Sequence, residues 1–267
     1  MSRRQTALVV EGGAMRGIFA AGVLDAFLAQ DRTAFDHCIG VSAGAVNLAA
    51  FLAGQRGRNH SVITDYSCRP EFISLARFVR GGHWLDLARF AVNPVPLTVV
   101  TTRVSDGQAA YLKGNAVELE QQLKASCSVP LVYRDFVRIG GEAMTDGGVA
   151  DSIPVRHAYE QGARDITVVL SRPLGYRKRA PRLPALHRYL LRQTPALARA
   201  SLARHRSYND AIDFIRQPPA DCHIRLIHPP AGFRVGRMTT DKGRLEQGYQ
   251  MGWRAALDYL AADLAQS

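Results

Sequence analysis

The sequence is poor in cysteine, in lysine and in long apolar runs, and each shortage argues against a class of function. Its four cysteines, Cys38, Cys68, Cys127 and Cys222, form no C-x-x-C pair and have no histidine at metal-ligand spacing. Neither a disulfide framework nor a zinc site is indicated, which fits a reducing cytoplasm. No apolar run reaches the roughly eighteen residues that a membrane span needs. The opening stretch, MSRRQTALVVEGG, has two arginines but too few apolar residues before Glu11 for a signal-peptide core. A soluble cytoplasmic protein is expected, at most peripheral at the inner membrane face.

Acidic residues are missing from one long stretch. None lies between Asp165 and Asp210, where Arg172, Arg177, Lys178, Arg179, Arg182, Arg188, Arg192, Arg199, Arg204 and Arg206 nearly account for the net charge of +11. A surface of one sign attracts anions such as phosphate head groups or nucleic acid. The plainer alternative is a solvated basic face in a chain that uses 30 arginines against four lysines.

With 267 residues, 47% of them hydrophobic, the chain can bury one sizeable core, and a single domain over residues 1–267 is expected. The continuous apolar run Thr6–Val10, ended by Glu11-Gly12-Gly13, reads as a buried parallel strand, and Gly17–Leu28 as a helix packed on a sheet. The unit repeats at once: a short strand at Cys38-Ile39, a turn over Gly40–Gly44 and an apolar helix over Ala45–Ala53. Two such units in succession predict parallel α/β layering. Further strands are predicted at 97–103, 136–139, 166–170 and 224–227, and helices at 117–126, 154–161 and 240–264. Residues 55–95 interleave Phe72, Phe78, Trp84 and Phe90 with Arg77, Arg80 and Arg89, as amphipathic helices or a cap over an apolar pocket would. The loop from Arg172 to Pro184 reads as an exposed excursion. Beyond it, leucines and arginines alternate at near-helical spacing around Pro195, which must begin or break a helix.

The stretch Gly40-Val41-Ser42-Ala43-Gly44 carries the chemistry. Glycines two residues before and after a serine, at a strand-to-helix corner, let the backbone turn sharply enough to present the hydroxyl. A serine nucleophile also needs oxyanion donors and a base. Gly12, Gly13 and Ala14, at the start of a helix, can offer free backbone N–H groups, aided by the helix dipole. The same loop invites a dinucleotide reading, but the third position of Gly-x-Gly-x-x-Gly is not met at Ala14, and the Gly-Lys-Ser/Thr of a phosphate loop is missing. For the base, His157, His187, His205, His223 and His228 stand in no distinctive turn, and His157 reads as a helix-surface residue. Asp146, followed by Gly147 and Gly148, is the better candidate, although Asp-Gly is also an ordinary turn signal.

Taken together, these three stretches resemble the patatin-like phospholipase family of acyl hydrolases. The match lies in Gly12–Gly17 with its Arg16-Gly17 ending, in Gly40–Gly44, and in Asp146-Gly147-Gly148, all in the family's order. The small-residue segment Ala125–Pro130 is similar too. The resemblance covers about residues 6–171; the basic and helical part from about 172 to 267 resembles only a bacterial branch. It implies a three-layer α/β/α fold with a mainly parallel sheet, a Ser42–Asp146 dyad, an oxyanion hole at Gly12, Gly13 and Ala14, an orienting role for Arg16, and no metal or organic cofactor. Ala14 departs from the family's usual third glycine. Its N–H is kept, so the hole is expected to survive unless a positive φ is required there. The expected activity is hydrolysis of lipid esters through an acyl-enzyme, with Arg172–Arg206 contacting an anionic membrane surface and no nucleic acid as partner. The alternative is a nucleotide- or lipid-binding protein whose elbow is only a turn.

Overall fold

The computed structural model describes residues 4–66, 85–133 and 135–265. Cys68, Phe72, Arg77, Phe78, Arg80 and Trp84 lie outside them, and with them most of the stretch read as amphipathic helices or a cap. Among the described residues eight strands form one sheet: β1 (Thr6–Val10), β2 (His37–Val41), β3 (Leu97–Arg103), β4 (Ala109–Lys113), β5 (Val137–Ile139), β6 (Glu142–Asp146), β7 (Asp165–Val169) and β8 (His223–Ile227). Five of them, in spatial order β3-β2-β1-β7-β8, are parallel; β4 and β6 run antiparallel to β3, and β5 pairs with β6.

Helices cover both faces: α1 (Gly17–Ala29), α2 (Ala43–Leu52), α3 (Arg58–Ser61), α4 (Leu87–Val92), α5 (Leu119–Cys127), α6 (Val155–Glu160), α7 (Pro184–Leu190), α8 (Pro195–Arg216) and α9 (Lys242–Leu264). Side chains of a strand alternate between faces, and β1 divides accordingly. Leu8 and Val10 pack with Phe19, Val23, Leu48 and Ala256 of α1, α2 and α9. Ala7 and Val9 pack with Val155, Tyr208, Ala211 and Ile212 of α6 and α8. The layering is thus helix, sheet, helix, and each large apolar side chain fully buried in it contributes about 1.5–3 kcal/mol.

The strongly apolar elements fall where their patterns place them, while two strands do not show in the sequence. AAYLK of β4 and EAMTD of β6 lack β-branched runs and are partly exposed; they are strands because β3 offers them hydrogen-bonding edges. Pro195 begins α8 rather than breaking it, occupying the first turn where a missing N–H costs nothing.

Candidate active site

Strand β2 extends through Gly40 to Val41, further than the expected Cys38-Ile39, and α2 begins at Ala43. Ser42 alone turns the corner, with φ 53° and ψ −125°. A side-chain-bearing residue adopts such angles at a cost and only where its surroundings impose them. Here the imposing contact is tight: a Cβ on Gly44 would run into the Val10 carbonyl, and one on Gly40 would stand 2.6 Å from Ala45 Cα. The Ser42 N–H donates to Ser126 Oγ at 2.8 Å, and Ser126 Oγ donates to the Val100 carbonyl at 2.6 Å.

The register of β3 brings Asp146 beside this corner. Val100 pairs with Val41, the residue before Ser42, and the next residue, Thr101, pairs with Asp146 at the end of β6. Strand β4 occupies the opposite edge of both residues. β6 therefore takes over the edge of β3 where β2 leaves it. The last turn of α5 and the residue that follows it tie the two together, since Ser126 holds the Ser42 amide and the Ser128 carbonyl accepts from the Asp146 N–H at 3.0 Å. Ser126 and Ser128 lay inside the small-residue segment read from the sequence, but their anchoring roles depend on contacts far along the chain. Asp146 is a strand terminus leading into a 3₁₀ turn, Gly147–Val149, rather than a free loop aspartate, and its Oδ1 accepts from the Gly148 N–H at 2.6 Å.

The glycine-rich segment lies against the elbow from the end of β1. A Cβ on Gly12 would sit 3.2 Å from Ser42 Cβ, and one on Gly17 2.9 Å from Ala43 Cβ. Among the described residues nothing accepts a hydrogen bond from the N–H of Gly12, Gly13 or Ala14. The condition attached to Ala14 applies: its φ is +51°, in the left-handed region that favours glycine. Arg16 is buried at 3% exposure near Glu11, which is itself buried and accepts the Ser171 N–H at 2.7 Å between the ends of β1 and β7. This is the point where strand order reverses, the place in open α/β sheets where ligands bind.

Charges around the site set its acidities. Burial raises Asp146 above the ordinary carboxylate range, opposed by Arg204, the Gly148 N–H, Arg237 and Lys178. A raised value makes it a stronger base than a surface aspartate. Burial also pushes Arg16 down to about 10, with Glu11 acting against it, and Lys178 down to about 7, helped by the like charges of Arg204 and Arg237. The Cys127 thiol, within hydrogen-bonding reach of Ser42, is pushed up to about 12 by burial and by Asp146 and stays protonated.

The basic stretch divides. Arg179, Arg182, Arg188, Arg192, Arg199 and Arg206 are exposed, and Arg177 pairs with Asp213. Arg172, Lys178 and Arg204 are partly buried, and Lys178 and Arg204 act on Asp146, so the loop from Arg172 is not wholly the excursion expected. Arg237, beyond β8, also acts on Asp146 and had no signal in the sequence. His157 is partly buried rather than a plain surface residue, stacked on Tyr111 with ring centroids 3.5 Å apart.

Comparison with known proteins follows the same division of the chain. The Patatin-like phospholipase family model matches residues 8–159, and a second, Domain of unknown function (DUF6363), matches residues 194–264. The chain is 32% identical over 278 residues to "Uncharacterized protein YjjU" of Escherichia coli (strain K12), a match covering 96% of this chain and 77% of that protein. Among solved structures it is similar to VipD from Legionella pneumophila, at a TM-score of 0.48 and 10% identity, covering 97% of this chain and 67% of that one. With more than half of its length matched by one family model, the chain belongs to the patatin-like phospholipase family.

Proposed function

We propose that the protein is a serine acyl hydrolase that cleaves carboxylic esters of lipids by a Ser42–Asp146 dyad. Membership of the patatin-like phospholipase family supports lipid hydrolysis in general. The observation that carries the finer reading is the register of β3, which sets the residue before Ser42 and Asp146 on consecutive positions of one strand edge. Ser42 Oγ attacks the ester carbonyl and Asp146 takes its proton. The N–H groups of Gly12, Gly13 and Ala14 receive the oxyanion, Gly12 being the one that abuts Ser42 most directly. The intermediate collapses to an acyl-enzyme as Asp146 returns the proton to the departing alcohol. Asp146 then deprotonates water, which attacks the acyl-enzyme, and the fatty acid leaves with Ser42 restored.

The membrane partner belongs to the same proposal. Helix α7 buries none of its residues, and Leu183, Leu186, Tyr189 and Leu190 are 65, 50, 62 and 49% exposed beside Arg182, Arg188 and Arg192. Apolar side chains among arginines suit insertion at an anionic lipid surface. Among the described residues no helix is long and apolar enough to cross a membrane.

The test is hydrolysis of p-nitrophenyl esters of increasing chain length, with fluorophosphonate labelling. Ser42→Ala should abolish labelling, and Ser42→Ala and Asp146→Asn should each lower turnover by at least about a thousandfold. Full turnover in Asp146→Asn would assign the base elsewhere. An inert, unlabelled wild type would favour a binding protein.

A further inference from the structure

The dyad leaves unexplained why so many cations gather beside it. Arg16 follows β1, Arg172 and Lys178 follow β7, Arg204 projects from α8, and Arg237 follows β8. They are mutually within electrostatic reach: Arg172 and Arg237 act on Arg16, and Arg204, Arg237 and Arg16 act on Lys178. Among the described residues none of the five forms an ion pair with a carboxylate. The two carboxylates that face them, Glu11 and Asp146, are bound to the Ser171 and Gly148 N–H groups.

Arg16 is buried and Arg172, Lys178 and Arg204 are partly buried, with Arg237 exposed at their edge. The Nε atoms of Arg16, Arg172 and Arg204 and the Tyr208 hydroxyl are buried without a hydrogen-bond partner. Tyr176 and Tyr208 meet edge to face at 5.6 Å, with the Arg172 guanidinium 4.6 Å over the first ring and the Lys178 ammonium 4.6 Å over the second. Arg204 also adjoins the base: its Nη2 and Asp146 Oδ1 lie 2.8 and 2.9 Å from where a Cβ on Gly148 would stand. Unpaired buried donors and crowded like charges both cost stability, and one anion would offset both. Guanidinium forks and an ammonium arriving from several strand ends match the tetrahedral oxygens of a phosphate.

We propose that Arg16, Arg172, Lys178, Arg204 and Arg237 form a phosphate-binding subsite beside the Ser42–Asp146 dyad, selecting acyl esters that carry a phosphate group close to the scissile carbonyl. This rests on the acyl-hydrolase reading and names its substrate class. Arg204 and Arg237 come from the segment matched by the second family model, so that segment completes the recognition of substrate. Binding should weaken as pH rises through about 7, where Lys178, facing Arg16, Arg204, Arg237, Glu11 and the Tyr208 ring, loses its proton.

Two measurements test it. The first is the melting temperature of Ser42→Ala protein with glycerol 3-phosphate, with inorganic phosphate, and with sodium chloride at equal ionic strength. Stabilisation by glycerol 3-phosphate beyond the chloride control is expected. The second is the ratio of kcat/KM for 1-octanoyl-glycerol 3-phosphate to that for 1-octanoylglycerol. This ratio should fall by about tenfold in Lys178→Met and in Arg172→Gln, the worth of one charge-assisted hydrogen bond. Absence of stabilisation by either phosphate overturns the subsite. Stabilisation by inorganic phosphate with an unmoved ratio identifies a site for the free anion and overturns the substrate assignment. Loss of the acyl-hydrolase reading would show separately, as p-nitrophenyl ester hydrolysis that survives Ser42→Ala, and would leave the melting-temperature result standing.

Discussion

Two regions meet at the candidate active site, and they are built from opposite materials. The strand-end region around Ser42 consists of Gly12, Gly13, Gly40, Ala43, Gly44, Gly147 and backbone amides, with side chains too small to move. The rim from Arg172 to Arg237 consists of long cationic side chains delivered by loops and α8. The difference teaches a division of labour. On the proposed reading, reaction geometry is entrusted to backbone, which has no rotamers to lose, and recognition to side chains that can adapt to a ligand.

The sharpest way to break the comparison is to alter charge on the rigid side without altering shape. Asp146→Asn should cost at least about a thousandfold in turnover and yet raise stability at neutral pH. Burial raises the folded-state value of Asp146, so its stabilising contribution is full below the unfolded value and is lost as pH rises through the folded one. Above the unfolded value a carboxyl raised in this way makes folding less favourable, and the amide, which does not titrate and can still accept from Gly148, removes that cost. Urea unfolding of both proteins at neutral and mildly acid pH checks this: the gap should narrow on acidification, and a variant less stable than wild type at neutral pH would refute it.

Shape on the rigid side comes next. Gly44→Ala drives a methyl into the Val10 carbonyl and should cost about 3 kcal/mol, together with most of the activity. On the rim, Arg179→Ala or Arg188→Ala, both exposed, should change stability by no more than about 0.5 kcal/mol. Equal losses at the two places would erase the distinction.

The same contrast explains what was legible in the sequence. Units of strand, glycine turn and helix are local patterns, so β1, α1, β2 and α2, with Ser42 between them, follow from neighbours in the chain. Asp146 was legible only through the D-G-G motif; its neighbourhood with Ser42 depends on β6, a strand whose one β-branched residue is Thr145 and which exists because β3 has an edge to give. Ser126 and Ser128 were visible as small residues but not as anchors, since hydrogen bonds across 84 residues leave no local trace. The cations were the least legible. A group of ten basic residues reads as one surface, whereas folding turns Arg172, Lys178 and Arg204 inward, adds Arg237 from beyond β8 and leaves seven arginines exposed.

A smaller effect sharpens the rim. Burial and the charges of Arg204 and Arg237 hold Lys178 at about 7 against an ordinary 10.5. Over that window the unfolded chain binds more protons, so the contribution of this residue to stability rises with pH. Lys178→Met lacks the effect. The stability of wild type relative to this variant should therefore grow by about 1 kcal/mol per pH unit above neutral, the limit for one proton, less whatever solvent screens at a partly buried group. Parallel profiles for the two proteins would mean that Lys178 titrates as a surface lysine.

The smallest effect returns to the rigid side and tests whether its strain is needed. Ala14 holds φ at +51°, which costs an alanine about 1–2 kcal/mol, while glycine there would give back about 0.4–1 kcal/mol through the freedom of the unfolded chain. Ala14→Gly should therefore stabilise the protein by about 0.5 kcal/mol. If the N–H of residue 14 is an oxyanion donor, turnover should stay within about twofold, because the donor and its position are unchanged. If the Cβ instead props the loop, glycine lets the N–H wander and turnover falls while stability rises. The pair of readings, melting temperature and kcat on one p-nitrophenyl ester, separates a strain that the loop merely tolerates from one that catalysis uses.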